Sequence, residues 1–100
     1  METVIQKQDG NMVALLKGRL DTAAAPDTEK AMGELINGTE KEIILDCTEL
    51  EYISSAGLRI FLTILQNTQE KGGHVYIKGI SDDVRAVFAL TGFINIFEFI

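Results

Sequence analysis

Hydrophobic and polar positions along the chain fall into two periods, and each change of period marks an element. Val4 to Gln8 alternates as a short strand does. Asp9-Gly10-Asn11 is a turn, because Asp-Gly and Asn accept the backbone angles a tight hairpin needs. Met12 to Leu16 then reads as a second, more buried strand, so the chain opens on a hairpin. Gly18-Arg19-Leu20-Asp21 leaves that strand, and a helical region runs from Thr22 to about Asn37. Pro26 and Asp27 suit its first turn, where a missing N–H is harmless and negative charge meets the positive helix end. Met32, Leu35 and Ile36 give it an apolar face, and Asn37-Gly38 stops it.

Glu42 to Asp46 encloses the continuous run Ile43-Ile44-Leu45, the mark of a central strand buried on both faces. A polar loop is predicted from Cys47 to Tyr52. The second helix spans Ser55 to Lys71, with Leu58, Phe61, Leu62 and Leu65 at helical spacing and Gly72-Gly73 as its end. His74 to Lys78 is a strand. Ser81-Asp82-Asp83 caps a third helix ending near Leu90, with Thr91-Gly92 as its stop. Ile94 to Ile100 is predicted as a last short strand. Strands that alternate with helices imply crossovers and a largely parallel sheet. The expectation is therefore an α/β fold over residues 1–100 as one domain: a small mixed sheet, made of an opening hairpin plus parallel strands, with three main helices.

Composition narrows the function. With 100 residues, 46% hydrophobic and 24% charged, the chain is an ordinary globular one able to bury a single core. No apolar stretch approaches the roughly 18–20 residues of a membrane helix, and Met1-Glu2-Thr3-Val4 lacks a basic leader, so a soluble, cytoplasmic protein with no membrane insertion is expected. Net charge is −6, and Lys and Arg form no run or stripe, which argues against a nucleic-acid partner. Cys47 is the one cysteine, so no internal disulfide forms, and it reads as a small core residue. His74 is the one histidine and has no second ligand candidate; neither a metal nor a cofactor is predicted. Asp82-Asp83 reads as capping, and Glu49 and Glu51 as solvated loop carboxylates. With no nucleophile–base pair in view, an enzyme is not expected.

The junction from Asp46 to Arg59 carries the chemistry. A buried strand gives way to a helix that begins at two serines followed by Ala56-Gly57. A helix start offers unpaired N–H groups and partial positive charge, which would stabilise a phosphate on serine. Ala56 and Gly57 leave the hydroxyl open to another protein. On the local pattern alone, Ser54 or Ser55 acting as a plain N-cap is the better reading, although no Glu or Gln stands three residues beyond either serine to complete a capping box.

Ile53-Ser54-Ser55-Ala56-Gly57-Leu58-Arg59, preceded by Ile44-Leu45-Asp46, resembles the signature of the STAS domain family, whose best-known members are anti-sigma-factor antagonists. Gly18-Arg19-Leu20-Asp21, Gly72-Gly73-His74-Val75 and Leu90-Thr91-Gly92-Phe93 extend the resemblance over nearly the whole chain. It implies a short mixed sheet with helices mainly on one side. It also implies a serine kinase of the GHKL type that is itself the anti-sigma factor and phosphorylates a serine at the start of the second helix. The unphosphorylated antagonist binds that kinase and frees the sigma factor, and a PP2C-type phosphatase resets the switch. Many members read Asp-Ser-Ser-Gly, with the first serine as acceptor. Alignment on the shared Gly and Leu puts the acceptor at Ser55, Ser54 on the Asp position and Ala56 on the second Ser, which leaves Ser54 as a competing acceptor.

The added charge of about −1.5 to −2 would be tolerated by the helix end but would clash with a partner docked over it. By resemblance Asp21 lies near Ser55 and adds repulsion, and Asp21, Thr22, Ser54, Ala56, Gly57 and Arg59 form the partner surface. Ile60 and Ile64 point away from the predicted core stripe. They either pack against another helix or form an exposed apolar patch that docks the partner, with Arg59 at its rim. The alternative role for such a domain is a STAS subunit of a membrane complex, such as a lipid-exporting ABC transporter, with no need of phosphorylation.

Overall fold

The computed structural model describes residues 1–100. Strand β1 (Glu2–Gln8) and β2 (Asn11–Leu20) form the hairpin; α1 (Ala25–Ala31), α2 (Gly33–Ile36), β3 (Glu42–Ile53), α3 (Ser55–Glu70), β4 (His74–Lys78), α4 (Asp82–Thr91), a 3-10 turn (Phe93–Asn95) and β5 (Glu98–Phe99) follow. The sheet runs β1-β2-β3-β4-β5, antiparallel at the hairpin and parallel elsewhere. The two turn residues, Asp9 at φ 51° and Gly10 at φ 84°, take the left-handed angles of the hairpin turn that Asp-Gly favours.

One core holds the fold together. Ala14 and Leu16 of β2, Ile43, Leu45 and Cys47 of β3, and Val75 and Ile77 of β4 meet residues from all four helices in one cluster, so the helices share one face of the sheet. Phe88 of α4 sits at its distal end, ringed by Phe61, Phe97 and Phe99 at centroid distances of 5.5–6.3 Å. On the other face Val13, paired with Ile44, is 5% exposed and lies outside that cluster. Ile44 is half-buried there, so β3 alternates instead of being covered on both sides.

Three elements depart from the sequence prediction. The region predicted as one helix from Thr22 is two short helices: Asp21 closes a turn by accepting from the Ala24 N–H at 2.8 Å, α1 starts at Ala25, and Met32 breaks the run before Gly33. Ile94–Ile100 forms a 3-10 turn and a two-residue strand, because Phe97 is drawn into the core beside Phe88. The third departure matters most for function. Residues 47–52 are strand, not loop: β3 continues to Ile53 alongside a β2 that runs to Leu20. Leu15 pairs with Asp46 but Lys17 with Glu49, and Gly18 pairs with Leu50 but Arg19 with Tyr52. At each step β3 spends one residue more than β2, which is a β-bulge. Two successive bulges stretch the ordinary two-residue alternation to three, so Cys47, Leu50 and Ile53 face the core while the polar residues between them face water. A search for period two misses such a strand.

Cys47 shows how dry that interior is. Its Sγ–H donates to the Leu45 carbonyl at 3.6 Å, and burial, with the neighbouring Asp46 charge, pushes the thiol far above its ordinary range. The folded protein is expected to resist alkylation by iodoacetamide at pH 8 and to react promptly in urea; mass spectrometry reads the difference. The sign of the linkage follows. Above about pH 8.5 the unfolded thiol ionises while the folded one stays neutral, so Cys47 lowers stability as pH rises past that value.

Candidate functional site

The bulged end of β3 delivers the chain to α3. Leu20 pairs with Ile53, and the Ser54 N–H donates to the Leu20 carbonyl at 2.8 Å, so the ends of β2 and β3 stay tied at the first residue beyond the sheet. Ser54 is extended, at φ −90° and ψ 171°, and caps the helix: its Oγ accepts from the Gly57 N–H at 3.2 Å and its carbonyl accepts from the Leu58 N–H at 2.9 Å. Only 8% of Ser54 is exposed. Ser55 is the first helical residue and is exposed. The two serines thus occupy opposite environments one residue apart.

Gly57 explains how closely the helix start sits on the sheet. A Cβ there would lie 2.7 Å from Leu20 Cγ and 2.9 Å from Ile53 Cγ1, both in the packed core. Only glycine lets α3 begin against β2 and β3 at this distance. The positive end of α3 is also uncompensated. α1 carries Asp27 in its first turn and α4 carries Asp82 and Asp83, whereas α3 carries no acidic residue there.

A groove of about 340 Å³ opens between α1 and the first turns of α3; Ala56 lines it and Ser55 does not. Thr22, Ala25, Pro26 and Glu29 form the wall on the α1 side, and Ala56, Arg59, Ile60 and Thr63 form the wall on α3. Thr22, Ala56 and Arg59 therefore come together as the sequence suggested. Asp21 follows Leu20 at the end of β2, beside the step into α3, with its carboxylate engaged by the Ala24 amide. Ile60 and Ile64 correct the sequence reading of an exposed patch. Ile60 is 4% exposed and Ile64 0%, because α1 and α2 cover a second face of α3. Asn67 secures that cover, its Nδ2 donating to the carbonyls of Leu35 at 3.2 Å and Gly38 at 3.3 Å, and Lys71 Nζ donates to Gly38 as well. Glu29 and Thr63 were not anticipated. Glu29 follows Pro26 by three residues and Thr63 follows Arg59 by four, spacings that put each pair on one helix face, but which faces meet depends on tertiary packing. No group of three or more His, Cys, Asp or Glu side chains is arranged to hold a metal, and no helix is long and apolar enough to cross a membrane.

Residues 2–100 match the STAS domain family. The chain belongs to that family. This STAS domain is 33% identical over 97 residues to BtrV of Bordetella bronchiseptica, which is described as an anti-sigma factor antagonist; the match covers 97% of this chain and 84% of that protein. Its fold is similar to that of an anti-sigma factor antagonist from Mycobacterium paratuberculosis, with a TM-score of 0.87 at 23% identity, covering 98% of this chain and 83% of the other. It is also similar to the anti-sigma factor antagonist SpoIIAA. The unphosphorylated form gives a TM-score of 0.81 at 21% identity, covering 99% and 88% of the two chains. The phosphorylated form, from Bacillus, gives 0.74 at 19%, covering 99% and 89%. At under 25% identity these structural likenesses establish the STAS fold, with its mixed sheet and its helices on one face.

Proposed function

We propose that this STAS domain is an anti-sigma-factor antagonist of the cytoplasm whose partner choice is set by phosphorylation of Ser55. Unphosphorylated, it sequesters an anti-sigma factor that is also a GHKL-type serine kinase. That kinase forms a bond from Ser55 Oγ to the γ-phosphorus of ATP, ADP departs, and the hydroxyl proton leaves through the kinase. A PP2C-type phosphatase hydrolyses the phosphoester and restores the binding form. The likeness to BtrV supports the partner class, and the solution of SpoIIAA in two phosphorylation states supports the switch.

One observation carries the choice of serine. Ser54 has its Oγ committed to the Gly57 amide and is buried, whereas Ser55 stands exposed one residue further on, at a helix end with no acidic side chain in its first turn. A kinase can reach Ser55 without disturbing a hydrogen bond, whereas modifying Ser54 would cost the cap, worth about 1 kcal/mol. The docking surface is the exposed start of α3 with Asp21, Thr22, Ala56 and Arg59 around it; Gly57, expected there from the sequence, is buried against Leu20 and Ile53 and serves only to let the helix start close to the sheet. Phosphate there adds about −1.5 to −2 charges that a closely docked partner must desolvate.

Incubation with ATP and GHKL-type kinases from the same organism, followed by mass spectrometry of the peptide holding both serines, tests the assignment. Ser54→Ala should still be modified, with a melting temperature lower by roughly 4–8 °C for the lost cap. Ser55→Ala should not be modified. Phosphate on Ser54 alone would overturn the choice of serine, and none on either would favour a transport-complex subunit.

A further inference from the structure

We infer that Arg59 is the intramolecular ligand of the Ser55 phosphate: it lines the α1–α3 groove while Ser55 carries a free hydroxyl, and it pairs with the phosphate once Ser55 is modified. The inference rests on the reading of Ser55 as the acceptor and adds a positioning residue that acts in the modified state.

The chain has three arginines, and two are engaged. The Arg19 guanidinium lies 4.6 Å from the centre of the Tyr52 ring and that of Arg85 lies 5.2 Å from the centre of Phe99. Arg59 is exposed, stacks on no ring and has no carboxylate within 4.0 Å. Its guanidinium is therefore uncommitted, and it stands one turn beyond Ser55. Residues i and i+4 lie on one helix face, and an anion placed N-terminal to a cation is the favourable order. Long side chains on a helix lean back over the turn N-terminal to their own Cα, which here is the turn that begins at Ser55. Arginine also matches phosphate with two parallel donors, a geometry lysine cannot reproduce.

Other charges near the site do not compete as well. Glu29, across the groove, leaves Arg59 unpaired even without a phosphate present. The Asp21 carboxylate is held by the Ala24 amide. A phosphate dianion on Ser55, one turn back on the same helix face, carries more charge than either carboxylate. Drawing the guanidinium toward Ser55 would remove a cation from one wall of the groove. The modification then changes the docking surface at two points, adding negative charge at Ser55 and withdrawing positive charge one turn away.

The test uses full-length protein with phosphoserine installed at position 55 by codon-directed incorporation, so that no kinase is needed. Phosphorus NMR follows the second ionisation of the phosphate. Arg59→Gln is expected to raise that pKa by about 0.2–0.4 unit relative to the unsubstituted phosphoprotein. Arg59→Lys should keep part of the difference, and raised salt should shrink it. The Arg59 Nε–H resonance should also move between the unmodified and phosphorylated proteins. Equal phosphate pKa values with and without the Arg59 guanidinium, or an unmoved Nε–H resonance, would overturn the inference. Failure of kinases to modify Ser55 would instead count against the acceptor reading, and the two results are obtained from separate preparations.

Discussion

Ser55→Glu is expected to weaken binding to the anti-sigma factor by at least about 100-fold while leaving the melting temperature unchanged or slightly raised. The two effects have opposite signs because they come from different parts of one location. Within the domain, the new carboxylate meets the positive end of α3, which carries no acidic residue in its first turn, and such a charge contributes roughly 0.3–1 kcal/mol of stability. In a chain of this size that corresponds to a few degrees. With Ser55 in the interface as proposed, the same carboxylate would have to be desolvated in the complex, and an unmatched charge there costs several kcal/mol. Each 1.4 kcal/mol is a factor of ten in affinity. Glutamate carries less charge than phosphate, so true phosphorylation should have the larger effect. Ser55→Ala should bind as the unmodified protein does. Titration calorimetry with the anti-sigma factor and a thermal melt of each variant would check this. Undiminished binding by Ser55→Glu would show that Ser55 lies outside the interface.

Ile64→Ala is expected to cost about 2–5 kcal/mol, and Ile64→Glu to leave the protein unfolded at room temperature. Ile64 is 0% exposed, held between α3 and the cover formed by α1 and α2. Truncation leaves a cavity that neighbouring helices fill only in part. A buried glutamate has no cation to meet and costs more than a cavity. Domains of this size are stable by about 5–15 kcal/mol, so the first change consumes a large share of that margin and lowers the melting temperature by roughly 10–30 °C. Urea unfolding followed by circular dichroism gives both numbers. A near-normal melt for Ile64→Glu would restore the reading of Ile64 as a surface residue.

The contrast between Ser55 and Ile64 shows which features local sequence conveys. Both lie on α3, whose span was read correctly to within a residue at its C-terminal end, because its caps and its apolar stripe are local signals. Of the predicted stripe Leu58, Phe61, Leu62 and Leu65, all but Leu62 are buried, and Leu62 is half-buried at its edge. The stripe could not reveal that a second face, bearing Ile60 and Ile64, is covered by another helical layer. A helix buried on two sides has a wide apolar arc, and a partner-docking patch produces the same pattern of residues.

What the amino-acid order determined by itself were the features set within a few residues: the Asp9-Gly10 hairpin turn, the capped starts of α3 and α4, the glycine stops, and the pair of serines at a strand-to-helix step. Each rests on backbone angles or on a hydrogen bond between near neighbours, so the local residues suffice. Tertiary structure alone decided that Ser54 is closed and Ser55 open, that residues 47–52 belong to a strand, and that Glu29 and Arg59 line one groove. Those outcomes depend on how β2 registers against β3 through two bulges and on where α1 settles against α3. Contacts between residues distant in sequence set both, and no short window of the chain contains them.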